Sequence, residues 1–390
     1  MRIRHFMSSL TVLTAVALWT TAPAGHTAEQ KLSDLKAKQI YLVEAKTGTV
    51  LLAENENQAF PPASLAKLMT MDLVFEAMRQ GEVTPTTVFP VSEFAWRTGG
   101  APSGTTTMFA ALKSDVPLAD LIQGVIIQNA NDACIIIAEG MAVTEDKFAE
   151  RMTARARDLG MMRSSFGNST GLPEQPSVTT AHDLVVLARH IFTSYPEYYR
   201  LYAAPDFTWN KIFQRNKNPL LQLGIGVDGL GAGYAEGHGF AVVASVERDG
   251  TRLFLAMGGL ASEKERLEES RRVLEWALSS FETRQIFKPN EAIGEAAVYG
   301  GSVSHVPVVA AEPVDVYVPS RNAERLTGRI VYDWPLRAPV TKGQPVGTLR
   351  LFEGEREIKA VPVQAAADVA EGTLASKATD ALFELLFFWI

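Results

Sequence analysis

Two short apolar runs open the regular part of the chain, Ile40-Tyr41-Leu42-Val43 and Val50-Leu51-Leu52, with Lys46-Thr47-Gly48 between them. Apolar runs flanking a polar, glycine-containing turn predict a hairpin. After Pro61-Pro62 the period changes, and Leu68, Met69, Leu73 and Val74 predict a helix over 64–79. The stretch from about Leu118 to His190 is helical in pattern, broken by polar connections such as Asn168-Ser169-Thr170-Gly171. That tetrapeptide matches a glycosylation sequon and reads instead as a turn. A second hairpin runs from Phe240 to Val246, turns around Asp249-Gly250, and returns over Arg252 to Met257. Ser262 with Glu265 three residues on is a capping-box pattern, and the helix it starts is expected to carry Leu267, Leu274, Leu278 and Phe281 on one side. Strands therefore flank a mostly helical middle, an α+β layout whose first and last strands are free to join one sheet.

From about Ile286 the pattern becomes short strands broken by Pro and Gly, among them Val314 to Val318, Arg329 to Tyr332 and Thr348 to Leu351. Residues 286–366 are predicted to form a small β domain. The stretch 374–390 gathers Leu, Phe and Trp beside Lys377, Asp380 and Glu384 and is too short to span a bilayer. It is expected to lie on the outer face of the inner membrane, with docking onto the protein's own β domain as the alternative. At the other end, Arg2 and Arg4, an apolar run from Leu10 to Trp19, and Ala22-Pro23-Ala24 predict a signal peptide over 1–24. The expected location is thus the periplasm, peripheral on the inner membrane.

Composition narrows the classes further. The chain has 390 residues, 47% hydrophobic and 21% charged, enough for one large domain and a smaller one and not the composition of a disordered chain. Its net charge is -7, and loss of Arg2 and Arg4 makes it more acidic, which argues against nucleic-acid binding. The one cysteine, Cys134, lies in an apolar run and reads as a core thiol. His182, His190, His238 and His305 form no HExxH or Cys/His cluster, so neither a metal nor a cofactor is expected. Gly229-Leu230-Gly231-Ala232-Gly233 has the wrong glycine spacing for a dinucleotide loop and leads into a strand.

Ser64-Leu65-Ala66-Lys67 puts a hydroxyl and an amine on neighbouring positions of one helix face. A serine needs a base to become a nucleophile, and a partly desolvated lysine can serve. Spacing alone is weak, since Ser33-Asp34-Leu35-Lys36 matches too. Context favours Ser64, which follows a hairpin and two prolines and opens an apolar helix. The segment from Tyr41 to Lys67 resembles the start of the penicillin-binding DD-peptidases, the family of D-alanyl-D-alanine carboxypeptidases, whose motifs are SxxK, SxN and KTG. The likeness continues through Ile126 to Ala133, Phe166 to Pro173, Thr179 to Leu184 and Gly226 to Leu230. It implies a β-lactamase/DD-peptidase-like catalytic domain over 30–285, an antiparallel sheet with a helical subdomain.

What the resemblance implies for chemistry is divided. Ser64 would be the nucleophile, Lys67 the base and Asn131 a side-chain orienter, with the backbone N–H groups of Ser64 and Tyr234 as oxyanion hole. The SxN position reads Asn129-Ala130-Asn131 and the KTG position reads Gly231-Ala232-Gly233. The lost lysine and threonine would hold the substrate's carboxylate, and the lost serine would relay a proton, which Asn129 cannot do. Two hydrogen bonds to a charged group, about 1.5–3 kcal/mol each, correspond to roughly two to four orders of magnitude in efficiency. The implied function is a carboxypeptidase acting on peptidoglycan stem peptides, with impaired activity and with β-lactams as covalent inhibitors. The competing reading is a binding or regulatory envelope protein on the same fold. Arg215, His238 and Arg248 are near in sequence as substitute cations.

Overall fold

In the computed structural model, residues 32, 34–173, 176–320 and 326–374 are described. The expected signal peptide over 1–24, and the expected membrane-associating tail beyond Leu374, lie outside them. Contacts divide the described chain into two units, 34–46 with 50–279 and 47–49 with 280–374.

The first unit is built on a five-stranded antiparallel sheet. Its strands are β1 (Gln39–Glu44), β2 (Val50–Glu54), and, after the two-stranded pairs β3 (Val88–Pro90) with β4 (Asp115–Pro117) and β5 (Asp206–Trp209) with β6 (Ile212–Arg215), the run β7 (Val227–Ala235), β8 (Gly239–Arg248) and β9 (Thr251–Leu260). The order is β2-β1-β9-β8-β7, so the first and last strands do meet, through Leu42 opposite Leu255. Asp249 and Gly250 turn β8 into β9 at φ 52° and 77°, the left-handed pair that matches hairpin twist. Both faces of the sheet are buried. Val243, Phe254 and Ala256 join the helical core, while Val242, Val246, Leu253, Leu255 and Met257 face away from it.

The helices are α1 (Lys67–Arg79), α2 (Glu93–Thr98), α3 (Leu118–Ile126), α4 (Asn131–Ala142), α5 (Glu145–Asp158), α6 (Ala181–Ser194), α7 (Pro196–Tyr199) and α8 (Glu263–Ser280). α1 is buried nearly all round, as befits a helix surrounded by others, and α6 packs on β1, β8 and β9. Two expectations need correction. Ser64 does not open an α-helix: it lies in a 3-10 turn, Ala63–Ala66, and α1 begins at Lys67. Ser262 does cap α8, accepting from Glu265 N at 3.1 Å, but the buried stripe is Arg266, Glu269, Ser270, Val273, Leu274 and Ala277. Leu267 and Leu278 are only half-buried, and Phe281 belongs to the following strand.

That strand, β10 (Phe281–Phe287), pairs with β13 (Val314–Pro319), which moves the start of the second unit to residue 280 from the expected 286. The rest of that unit is a six-stranded sheet of β11 (Ala292–Tyr299), β12 (His305–Val309), β14 (Leu326–Tyr332), β15 (Leu336–Arg337), β16 (Pro345–Glu353) and β17 (Arg356–Ala365) around a valine-rich core.

One buried carboxylate organises the segment that precedes α3. Asp132, fully buried, accepts from Thr107 Oγ1 at 2.6 Å, Met108 N at 3.0 Å, Ala110 N at 3.1 Å and Ala133 N at 3.0 Å. Removing it takes the side-chain acceptor from three buried backbone donors, each costing about 1–3 kcal/mol. Asp132→Ala should therefore lower the urea unfolding free energy of the first unit by about 3 kcal/mol or more. An unchanged midpoint would show that the loop is held by other contacts.

Candidate active site

Pro61-Pro62 leads into the Ser64 turn, and Ala63 takes a left-handed φ of 48°. The chain before it is tied to the start of α6, with Phe60 N donating to Thr179 O and Thr179 N to Phe60 O, each at 2.9 Å. The 3-10 turn leaves the Ser64 side chain half-buried at a cleft and starts the following helix on Lys67. Lys67 Nζ donates to Ser64 Oγ at 3.2 Å and to Thr170 O at 3.0 Å. The lysine is 4% exposed, and burial pushes its pKa down to about 8. Near neutral pH a useful fraction is an amine able to accept the serine's proton.

The second anchor of Lys67 comes from far along the chain. Asn168 Oδ1 accepts from Thr170 N at 3.2 Å, Thr170 Oγ1 at 3.0 Å and Gly171 N at 2.6 Å, an Asx-type turn that presents the Thr170 carbonyl to the lysine. Ser169 O accepts from Thr70 Oγ1 of α1 at 2.7 Å, while Ser169 N and Oγ donate to Glu145 of α5. Gly171 sits at φ 79°, and a Cβ there would stand 1.7 Å from Ala63 O. Only glycine lets this turn lie against the Ser64 turn.

The cleft is lined by Ser64, Leu65, Lys67, Leu68, Met71, Val125, Ile126, Asn129, Tyr202, Lys217, Asn218, Leu230, Gly231 and Ala232. Sequence reasoning singled out five of these, Ser64, Lys67, Asn129, Gly231 and Ala232, and the fold brings them together. Asn129 takes φ 60°, a conformation asparagine tolerates better than most residues. Gly231 has room beside it, since a Cβ would meet only Leu65 Cδ2, at 3.8 Å. Gly233 lies close to the Ser64 turn, with a Cβ position 3.4 Å from Ser64 N.

Several residues named from the sequence lie outside the lining. Asn131 is the buried first residue of α4, with Nδ2 donating to Thr105 Oγ1 at 3.1 Å and Oδ1 unpartnered among the described residues. Tyr234 is 55% exposed on β7, its ring 4.6 Å from that of Phe240, and Gly233 beside it faces the Ser64 turn by backbone alone. Arg215, His238 and Arg248 do not reach the lining, and the cation that does, besides Lys67, is Lys217. Sequence reasoning missed Lys217 along with Thr170 O, Tyr202 and Asn218. Its only signal was the run Arg215-Asn216-Lys217-Asn218, which has no distinguishing period. Cys134 is buried as expected, and its thiol is pushed up to about 12 by burial, too high to supply a thiolate.

Comparison with known proteins agrees with this geometry. A family model described as D-alanyl-D-alanine carboxypeptidase matches residues 24–259, and one described as penicillin-binding protein 5, C-terminal domain, matches residues 281–371. The chain is 32% identical to D-alanyl-D-alanine carboxypeptidase DacC of Escherichia coli over 377 residues, covering 95% of this chain and 94% of that one. Penicillin-binding protein 5 of Haemophilus influenzae superposes with a TM-score of 0.72 at 31% identity, over 90% of this chain and 100% of that one. Penicillin-binding protein D2 of Listeria monocytogenes, solved in an ampicillin-bound form, gives a TM-score of 0.53 at 25% identity, over 62% of this chain and 97% of that one.

The close approach at residue 171 yields a direct test. Gly171→Ala must push the 168–171 turn away from Ala63, so it should destabilise the first unit by more than about 2 kcal/mol and raise the pKa of Lys67 as water reaches it. Chemical denaturation and an NMR titration of the lysine amine report the two effects; a variant with wild-type values in both would show that the turn does not enclose Lys67.

Proposed function

Because the chain belongs to the D-alanyl-D-alanine carboxypeptidase family, we propose that it removes the terminal D-alanine from peptidoglycan stem peptides through an acyl-enzyme on Ser64, at reduced efficiency. The observation that carries this reading is the contact of a buried, partly deprotonated Lys67 with the Ser64 hydroxyl, at 3.2 Å. Lys67 takes the proton as Ser64 Oγ attacks the carbonyl carbon of the penultimate residue. The oxyanion is received by the backbone N–H groups of Ser64 and Tyr234, on adjoining segments of the Ser64 turn and β7. When the carbon–nitrogen bond breaks, the leaving amine needs a proton, and the Lys67 ammonium is the donor available, since an asparagine at 129 has no acidic proton. Water then hydrolyses the ester, with Lys67 again the base.

Reduced efficiency follows from positions 129, 231 and 232, where the family motifs carry Ser, Lys and Thr and this chain carries Asn129, Gly231 and Ala232. The same three positions favour the second reading, a binding or regulatory envelope protein with little turnover. Labelled penicillin separates the two. Slow adduct formation on Ser64, lost in Ser64→Ala, supports the enzyme, and complete inertness of a folded wild-type protein supports the binding protein.

Two further outcomes are expected. Acylation should rise about tenfold per pH unit below pH 8 and level off above it, because only neutral Lys67 can accept the proton and its pKa is lowered to about 8. A rate flat from pH 6 to 9 would remove Lys67 from the role of base. Combining Asn129→Ser, Gly231→Lys and Ala232→Thr should raise D-alanine release from D-Ala-D-Ala peptides by at least about a hundredfold, since charge-assisted bonds are regained in a cleft with space for them. Vigorous wild-type release, or no gain in the folded triple variant, would contradict the impaired-cleft account.

A further inference from the structure

β7 contributes Leu230, Gly231 and Ala232 to the cleft, yet little within the strand itself holds it there. It is the edge of the five-stranded sheet, paired with β8 alone. The stretch Gly229-Leu230-Gly231-Ala232-Gly233 has one large side chain, and glycine in a strand adds backbone entropy to lose and nothing to pack. At the start of β7 the pairing is irregular. Val227 lies opposite Val246 and Gly229 opposite Ser245, which leaves Asp228 as the extra residue of a bulge.

The Asp228 carboxylate is gripped from two directions. Arg252 of β9 reaches across β8 and donates Nη1 to Oδ1 at 3.1 Å and Nη2 to Oδ2 at 2.8 Å, a bidentate pair. The Tyr199 hydroxyl, at the end of α7, donates to Oδ1 at 2.8 Å. Arg252 is itself fixed: Nη1 donates to Ser245 Oγ of β8 at 2.6 Å, Nη2 donates to Glu247, and the guanidinium lies 4.1 Å from the ring centroid of Phe192 on α6. Its side chain is 11% exposed and that of Asp228 26%, so water and salt weaken this pair less than one on the open surface. Burial keeps the Tyr199 hydroxyl protonated, and it remains a donor.

The clamp joins two walls of one cleft. Tyr199 stands three residues before Tyr202, which lines the cleft opposite no charge of its own and beside the β7 residues. β7 passes so near Tyr199 that a Cβ on Gly229 would stand 2.8 Å from its hydroxyl, and five residues past Asp228 a Cβ on Gly233 would stand 3.4 Å from Ser64 N. Where Asp228 is held therefore bears on how the next residues lie against the Ser64 turn. We propose that Asp228 is a positioning residue for the Ser64 cleft: gripped by Arg252 and Tyr199, it fixes β7 so that the Tyr234 N–H stands beside that of Ser64. The proposal rests on the reading of those two N–H groups as the receptor of the oxyanion, where a small displacement costs rate.

Two measurements on the full chain test it, the first independent of turnover. Asp228→Asn keeps the size of the side chain and loses its charge and one acceptor oxygen. It should speed hydrogen exchange of the β8-bonded amides of residues 230–235 at least about tenfold and leave exchange in β1 and β9 within about twofold of wild type. Tyr199→Phe removes one of the three bonds to Asp228 and leaves Arg252 in place. It should speed the same β7 amides about two- to fivefold, and it serves where Asp228→Asn does not fold. Exchange that is unchanged in β7, or that rises equally through the sheet, overturns the proposal. In penicillin acylation, Asp228→Asn should lower the rate at saturating penicillin at least about tenfold and move the half-saturating concentration less than about threefold, since the oxyanion contact is made in the transition state. Arg252→Lys, which keeps the charge without the fork, should behave like Asp228→Asn. Acylation by Asp228→Asn at the wild-type rate, or a loss confined to half-saturation, also overturns it. If β7 loosens locally in Asp228→Asn but wild-type Ser64 is never acylated, the hold on β7 stands and the carboxypeptidase reading falls.

Discussion

The Ser64 cleft is organised around one amine kept out of water. Lys67 is enclosed between the Ser64 hydroxyl and the Thr170 carbonyl, 3.2 and 3.0 Å away, and burial lowers its pKa to about 8, the condition under which it could serve as the base of the proposed mechanism. Much else in the first unit serves that enclosure. α1 is buried around nearly its whole circumference, the Asn168 turn supplies the carbonyl, and Glu145 and Thr70 hold that turn through Ser169. Gly171 lets the two turns touch.

In the proposed mechanism the groups that would make an acyl-enzyme are distinct from those that would recognise a substrate. Of the first set the cleft holds Ser64 and a buried lysine in contact with it, and Gly233 of β7 lies beside the Ser64 turn. The second set is bare at Gly231 and Ala232, where the backbone persists without side-chain donors. Electrostatically the cleft is nevertheless not neutral. It is lined by two lysines and no acid, in a chain whose overall charge has the opposite sign, so an anionic ligand is favoured by the local charges.

The sequence by itself determined the elements and the chemical candidates. Hairpin signals at Lys46-Thr47-Gly48 and Asp249-Gly250, the Ser64–Lys67 spacing and the altered residues at 129, 231 and 232 are local features, readable because turn geometry and helix period act over a few residues. The α+β layout followed from the order of those elements. Tertiary structure decided what the local pattern cannot encode. The Gly171 turn lies against the Ser64 turn, and the Lys67 pKa is lowered by burial among segments as far away as Thr170, 103 positions along the chain. The buried stripe of α8 was set by what the helix packs on, since Arg266 and Ser270 are buried while Leu267 and Leu278 stay half-exposed. Lys217 was invisible as a cleft residue because the chain around it has no period, and only the packing of its wall against Ile127 brings it beside Ser64's cleft. Covalent spacing settles which groups are neighbours along the chain; desolvation and convergence on one cavity are properties of long-range packing alone.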